Sequence, residues 1–175
     1  MTQPPMLSSE RILLRALGPS DIEAYKEFYA DGEASAFYGG PLSAGDAWRR
    51  LAADIGHWTL RGYGHWAVVT RDDGRTIGVC GLYLPEGWGR PELTWWILPR
   101  ARRKGYAEEA SRLAIRFGYD VLNWRQVETY MNDDNEAAQR LVMKLGGRII
   151  AREMFPDGLE RSVYALPRAL DGASQ

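Results

Sequence analysis

Trp95-Trp96-Ile97-Leu98-Pro99-Arg100-Ala101-Arg102-Arg103-Lys104-Gly105-Tyr106-Ala107 is the stretch that decides how this chain is read. Its apolar opening is strand-like, and Pro99, with no backbone N–H, ends the ladder. A basic loop follows, and Gly105 opens a helix to about Val121 whose apolar positions 106, 110, 113, 114, 117 and 121 share one face. The first amides of such a helix have no partner within it. With the helix dipole they form an anion site suited to a phosphate or pyrophosphate. Gly105 has no Cβ, so a bulky ligand can approach the backbone, and Arg102, Arg103 and Lys104 add positive charge. A solvated basic loop capping an ordinary helix would look the same, and local chemistry leaves both readings open. Neither GxxxxGK[ST] nor GxGxxG occurs anywhere in the chain.

Working outward, Pro91–Leu98 is the strand entering this loop. Before it, Arg11–Ala16 reads as a first strand after an irregular Met1–Ser9. Ser20-Asp21-Ile22-Glu23 has the pattern of a capping box opening a helix to about Tyr29. A second helix is expected over Ser43–Leu60, with Trp48, Leu51, Ala52, Ile55 and Trp58 or Thr59 at helical spacing. Strands follow at Gly64–Thr70 and Thr76–Leu84, joined by the turn Arg71-Asp72-Asp73-Gly74. Beyond the long helix come a strand at Gln126–Met131 and a helix over Asn135–Leu145, with Ala138, Leu141, Val142 and Leu145 inward. Arg148–Phe155 and Arg161–Leu166 close as a hairpin over Pro156-Asp157-Gly158. The order β-α-α-β-β-β-α-β-α-β-β predicts one α/β (α+β) domain.

With 175 residues, 45% of them hydrophobic and 26% charged, the chain is long enough for a real core and globular in composition. A net charge of −1 argues against bulk nucleic-acid or anionic-membrane binding. Cys80 is alone, which excludes an intrachain disulfide and a cysteine-based zinc site, and its strand setting predicts an inert buried thiol. His57 and His65 show no metal-ligand spacing and read as structural, so no metal is expected. No apolar run is long enough to cross a bilayer and no signal-like opening is present, so a cytoplasmic protein is expected.

Arg102-Arg103-Lys104-Gly105-Tyr106-Ala107 fits [Q/R]-x-x-G-x-[G/A], and so resembles the acetyl-CoA pyrophosphate loop of the GNAT acetyltransferase superfamily. Asn135-Glu136-Ala137-Ala138 through Lys144-Leu145-Gly146 resembles that family's N-x-x-[S/A]…K-L-G helix. Arg11-Ile12-Leu13-Leu14-Arg15 resembles the opening strand of its Rim-like branch, the ribosomal-protein N-acetyltransferases. The resemblance spans residues 8–166, with 1–7 and 167–175 as tails. It implies a single domain with a mixed, largely antiparallel central sheet flanked by helices. It also implies acetyl-CoA as cosubstrate, and an amine acceptor that is a protein N-terminus or a small molecule. A homodimer stays open.

Site residues follow from the same resemblance. The strand before the loop should splay from its neighbour, leaving a gap for pantetheine, with the thioester carbonyl near the N–H of Ile97 or Leu98. The amides of Arg103, Lys104, Gly105 and Ala107 would hold the pyrophosphate, with Arg102 and Tyr106 alongside. Asn135 would reach the pantetheine arm, although an N-cap role explains it equally well. Lys144 matches a family lysine and also suits the helix dipole. Three positions depart from the family: Val142 replaces a frequent tyrosine proton donor, Ala138 a frequent serine, and Gly147 a frequent aromatic. Glu92, on one face with Thr94 and Trp96, is the remaining candidate base, or else an exposed strand carboxylate. Trp88, Trp95 and Trp96 flank this region as core or as pocket lining. The reaction implied is direct attack of a primary amine on the thioester. The alternative is a module that binds acyl-CoA without catalysis.

Overall fold

The computed structural model describes residues 3–168. Residues 1–2 and 169–175, the ends of the two expected tails, lie outside the described residues. Eight strands and four helices run in the order β1 (Leu7–Ser8), β2 (Ile12–Ala16), α1 (Ile22–Ala30), α2 (Ala44–Arg61), β3 (His65–Thr70), β4 (Thr76–Tyr83), β5 (Glu92–Ile97), α3 (Tyr106–Asp120), β6 (Val127–Tyr130), α4 (Glu136–Lys144), β7 (Arg148–Met154) and β8 (Glu160–Leu166). The mixed α/β architecture agrees with the sequence reading. One difference is β1, since Leu7 pairs with Leu14 and extends the sheet into the supposedly irregular opening.

The strands form two sheets, β1-β2-β3-β4-β5 and β6-β8-β7, and every ladder is antiparallel. No ladder joins β5 to β6, so the expected splay is present between them. The helix α3 packs Ala110, Ala114, Ile115 and Phe117 into the core beneath this split. On the opposite face, α1 and α2 cover β3–β5, with Phe28 stacked on Trp96 at 4.3 Å.

Two helix readings are corrected. Ser20 and Glu23 form no capping box, because a 3₁₀ turn, Pro19–Asp21, precedes α1 and brings Asp21 inward. Asp21 is fully buried, receives Arg15 at 2.8 and 2.9 Å, and accepts from Thr76 and the Gly18 N–H. Burial alone would raise its carboxyl, but those donors hold it below the ordinary value. In α2 the inward face is Ala47, Leu51, Asp54, His57 and Trp58, while Trp48 (59% exposed) and Ile55 (39%) face outward. Hydrophobic spacing misjudged this face because two of its inward residues are polar.

Cys80 lies fully buried in β4, and burial pushes its thiol up to about 12. His57 is structural, as expected: its Nδ1 reaches Tyr63 O at 2.7 Å and its Nε2 accepts from Leu84 N at 3.0 Å.

Candidate active site

The loop after β5 begins as a short 3₁₀ turn, Pro99–Ala101, and then reverses through two left-handed residues, Arg103 (φ 61°) and Gly105 (φ 83°). Among the described residues, the amides of Arg103, Lys104, Gly105, Tyr106, Ala107 and Glu108 make no hydrogen bond, and the first bond of the helix is Glu109 N–H to Gly105 O at 3.1 Å. Outward donors at a helix N-terminus fit a diphosphate. The loop is held from behind. Arg11 donates to Lys104 O at 2.9 Å, lies over the Tyr106 ring at 5.0 Å, and forms an ion pair with Glu109. Glu109 also accepts from the Ser9 hydroxyl and the Arg11 amide. Arg102, expected alongside the anion, instead folds its guanidinium back onto Ile97 O at 2.9 Å. Arg103 and Lys104 are exposed and carry the mobile charge.

The strand β5 exposes a second set of donors. Leu98 N–H donates to Ile77 O at 2.8 Å, so alternation turns the Trp96 and Thr94 amides toward β4. The amides of Leu93, Trp95 and Ile97 therefore face the split. Their carbonyls are occupied by side chains: Thr129 Oγ1 donates to Leu93 O, Tyr38 OH to Trp95 O, and Arg102 to Ile97 O. Of the two amides named from sequence, Ile97 is free and Leu98 is held in the sheet.

Beside the split lies a cavity of about 400 Å³. Its floor is the exposed end of β3–β5, where cross-strand neighbours His65, Gly81 and Thr94, and Tyr83 and Glu92, share a face. Its roof is α2, through Arg50 and Asp54, with Phe37, Tyr38 and Gly39 of the preceding loop. The far wall is β6 and the start of α4. Trp88, Trp95 and Trp96 all border it, although Trp96 is mainly core.

Glu92 stands in this floor, half-buried rather than in open solvent. Burial pushes its carboxyl up to about 8, against the Tyr130 hydroxyl and the Arg161 guanidinium, which both favour the charged form. Arg161 is itself held by Asp157 at 2.5 and 2.8 Å and by Asn132 at 2.7 Å. Asn135 caps α4 by accepting from the Ala138 N–H at 3.2 Å, the first of its two readings, and it also borders the cavity. Lys144 pairs with Glu108 at 2.5 Å, tying α4 to α3.

Val142 is fully buried in the core and does not border the cavity. A Cβ on Gly147 would come within 2.4 Å of its Cγ1, so two of the departures from the family pattern press on each other. The cavity also brings together Arg50 and Asp54, which sequence reasoning did not single out, and His65, which it read as structural. Their only signal was the polar pair Asp54 and His57 interrupting an apolar helix face.

An acetyltransferase (GNAT) domain model matches residues 11–148, most of the chain. This chain is a GNAT acetyltransferase. It is 25% identical to the uncharacterized N-acetyltransferase YoaA of Bacillus subtilis, over 93% of this chain and 96% of that protein. A crystal structure of an acetyltransferase from Agrobacterium tumefaciens superposes with a TM-score of 0.85 at 26% identity, covering 95% of this chain and 96% of that one. A GNAT-family acetyltransferase from Bacillus anthracis superposes at 0.79 with 19% identity, over 94% and 99% of the two chains, a likeness of fold. The GNAT assignment implies acetyl-CoA use. No described helix is long and apolar enough to cross a membrane.

Proposed function

We propose that this acetyltransferase moves the acetyl group of acetyl-CoA onto a primary amine by direct attack, with Glu92 as the base. The observation that carries this reading is the position of Glu92. Its carboxyl, raised to about 8, borders the cavity that runs to the free edge of β5. A base of that strength is matched to a reaction near neutral pH. When bound, acetyl-CoA supplies the activated acyl group. The chain supplies a diphosphate seat from the amides of Arg103, Lys104, Gly105 and Ala107, with Tyr106 alongside and the Arg102 side chain bracing the strand. It supplies hydrogen bonds to an extended arm from Asn135 and the β5 edge. The Ile97 N–H is the donor available to a developing oxyanion, a contribution on the order of 3 kcal/mol.

The attacking amine must be neutral. Glu92 removes its proton, directly or through one water, while the cavity holds the amine against the split. No phenol stands at Val142 to protonate the departing thiolate, so another group or water supplies that proton.

The test follows thiol release from acetyl-CoA across a panel of primary amines, for the parent and for Glu92→Gln. The expected result is amine-dependent release that falls about a hundredfold in the variant while acetyl-CoA affinity holds. Unchanged turnover with a verified acceptor would remove Glu92 from the reaction.

A further inference from the structure

The cavity has a second end, away from Glu92, which the acetyl-transfer reading leaves without a task. His65 on β3 is separated from Thr94 on β5 by the width of β4, about 10 Å at ordinary strand spacing. Above it, Arg50 and Asp54 occupy successive turns of α2 and border the same cavity.

One polar group here is short of a partner. Asp54 is 2% exposed and His65 is 7% exposed. His65 Nδ1 meets Asp54 Oδ1 at 3.1 Å, which leaves His65 Nε2 as the buried ring nitrogen without a partner among the described residues. A buried polar atom without a partner is costly, so a ligand that completes it is favoured.

Charge decides what kind of ligand. Both Asp54 oxygens already have partners, since Oδ2 accepts the Tyr25 hydroxyl at 2.6 Å and Oδ1 lies 3.1 Å from His65 Nδ1. Asp157 is compensated by Arg161. Arg50 is different. Its guanidinium lies half-buried over the Tyr29 ring at 5.7 Å and borders Gly39, yet makes no hydrogen bond or ion pair among the described residues. Its planar fork is therefore open to a carboxylate.

We propose that the acceptor is a small amine carrying a carboxylate, that Arg50 binds the carboxylate, and that His65 takes a polar group beside it. This rests on reading the Glu92 cavity as the acceptor site. The anion is thus held at the α2 end, and the amine extends across β4 toward Glu92. Amino acids and their derivatives have this chemistry.

The probes are the common L-amino acids, their primary amides, and the diamines putrescine and cadaverine. Acid and amide differ only in the charge that Arg50 reads. Parent enzyme is expected to favour an acid over its amide by about thirtyfold in kcat/KM, the scale of one charge-assisted pair. Arg50→Gln should bring that ratio toward one, and Arg50→Lys should restore part of it. Calorimetric binding of the same acids and amides to CoA-saturated protein gives a readout independent of turnover. Acids that bind the parent but not Arg50→Gln would uphold the carboxylate site even if no amine were acetylated, an outcome that would sink only the transfer reading. Equal handling of acids and amides by the parent, equal loss of both in Arg50→Gln, or a preference for the diamines would overturn the proposal.

Discussion

Glu92 carries two pH dependences of opposite sense. As the proposed base it would work only when ionised, so turnover should climb as pH rises toward about 8 and then level. Glu92→Gln should flatten that limb, which a kcat–pH profile will reveal. Stability runs the other way. The folded state holds the proton up to about 8, whereas an unfolded glutamate releases it near the ordinary value of 4.5. Stability from this group is full below 4.5 and is lost as pH rises through 8. Tm of the parent relative to Glu92→Gln should therefore decline across that window. A constant difference would place Glu92 in a more open setting. Glu92 was legible as a candidate because it lies on the strand that, by the family resemblance, leads to the thioester, and alternation set it on the face of Thr94 and Trp96. Its burial was not legible, since the covering residues Tyr130 and Arg161 come from strands far along the chain.

At the scale of the element, the loop before α3 is a backbone device. Gly105 at φ 83° tolerates no branched side chain without strain, and an added Cβ would already lie 3.2 Å from Arg11 Nη2. Gly105→Val is expected to weaken acetyl-CoA binding by tenfold or more, and Arg103→Ala by about threefold, both read by calorimetry. Equal losses would assign the affinity to side-chain charge instead. This loop was readable in sequence because its determinants are local. Its buttress was not, as Arg11 and Glu109 meet only once the first strand lies against α3. The helix α4 offers a contrasting case. Val142→Tyr, which restores the family's phenol in sequence, drives a ring into the packed contact with Gly147 and should cost about 1–3 kcal/mol in a denaturant titration. Unchanged stability would mean the ring finds an exit toward the cavity.

Across the whole molecule, the split proposed to admit a ligand also removes a ladder that would otherwise join the sheets. Side chains bridge it. Thr129 donates to Leu93 O, and Arg90, from the turn before β5, pairs with Glu128 of β6 and Glu153 of β7 at 2.6 Å each. Glu128 is only 13% exposed, so Arg90→Ala strands a carboxylate and is expected to lower stability by about 1–2 kcal/mol. A loss within about 0.5 kcal/mol would show the bridge to be dispensable. The order of elements and the splay followed from sequence and family resemblance. The meeting of Arg50, Asp54 and His65 at one end of the cavity did not, because they belong to elements read as core scaffold.

The burial of Cys80 has a practical side. A thiol at 0% exposure, raised to about 12, is almost wholly uncharged in any assay buffer and is closed to bulky electrophiles. Folded enzyme should leave an aromatic disulfide dye colourless. Every equivalent of colour then counts a molecule of liberated coenzyme A, and a slow rise without acceptor would report unfolding instead.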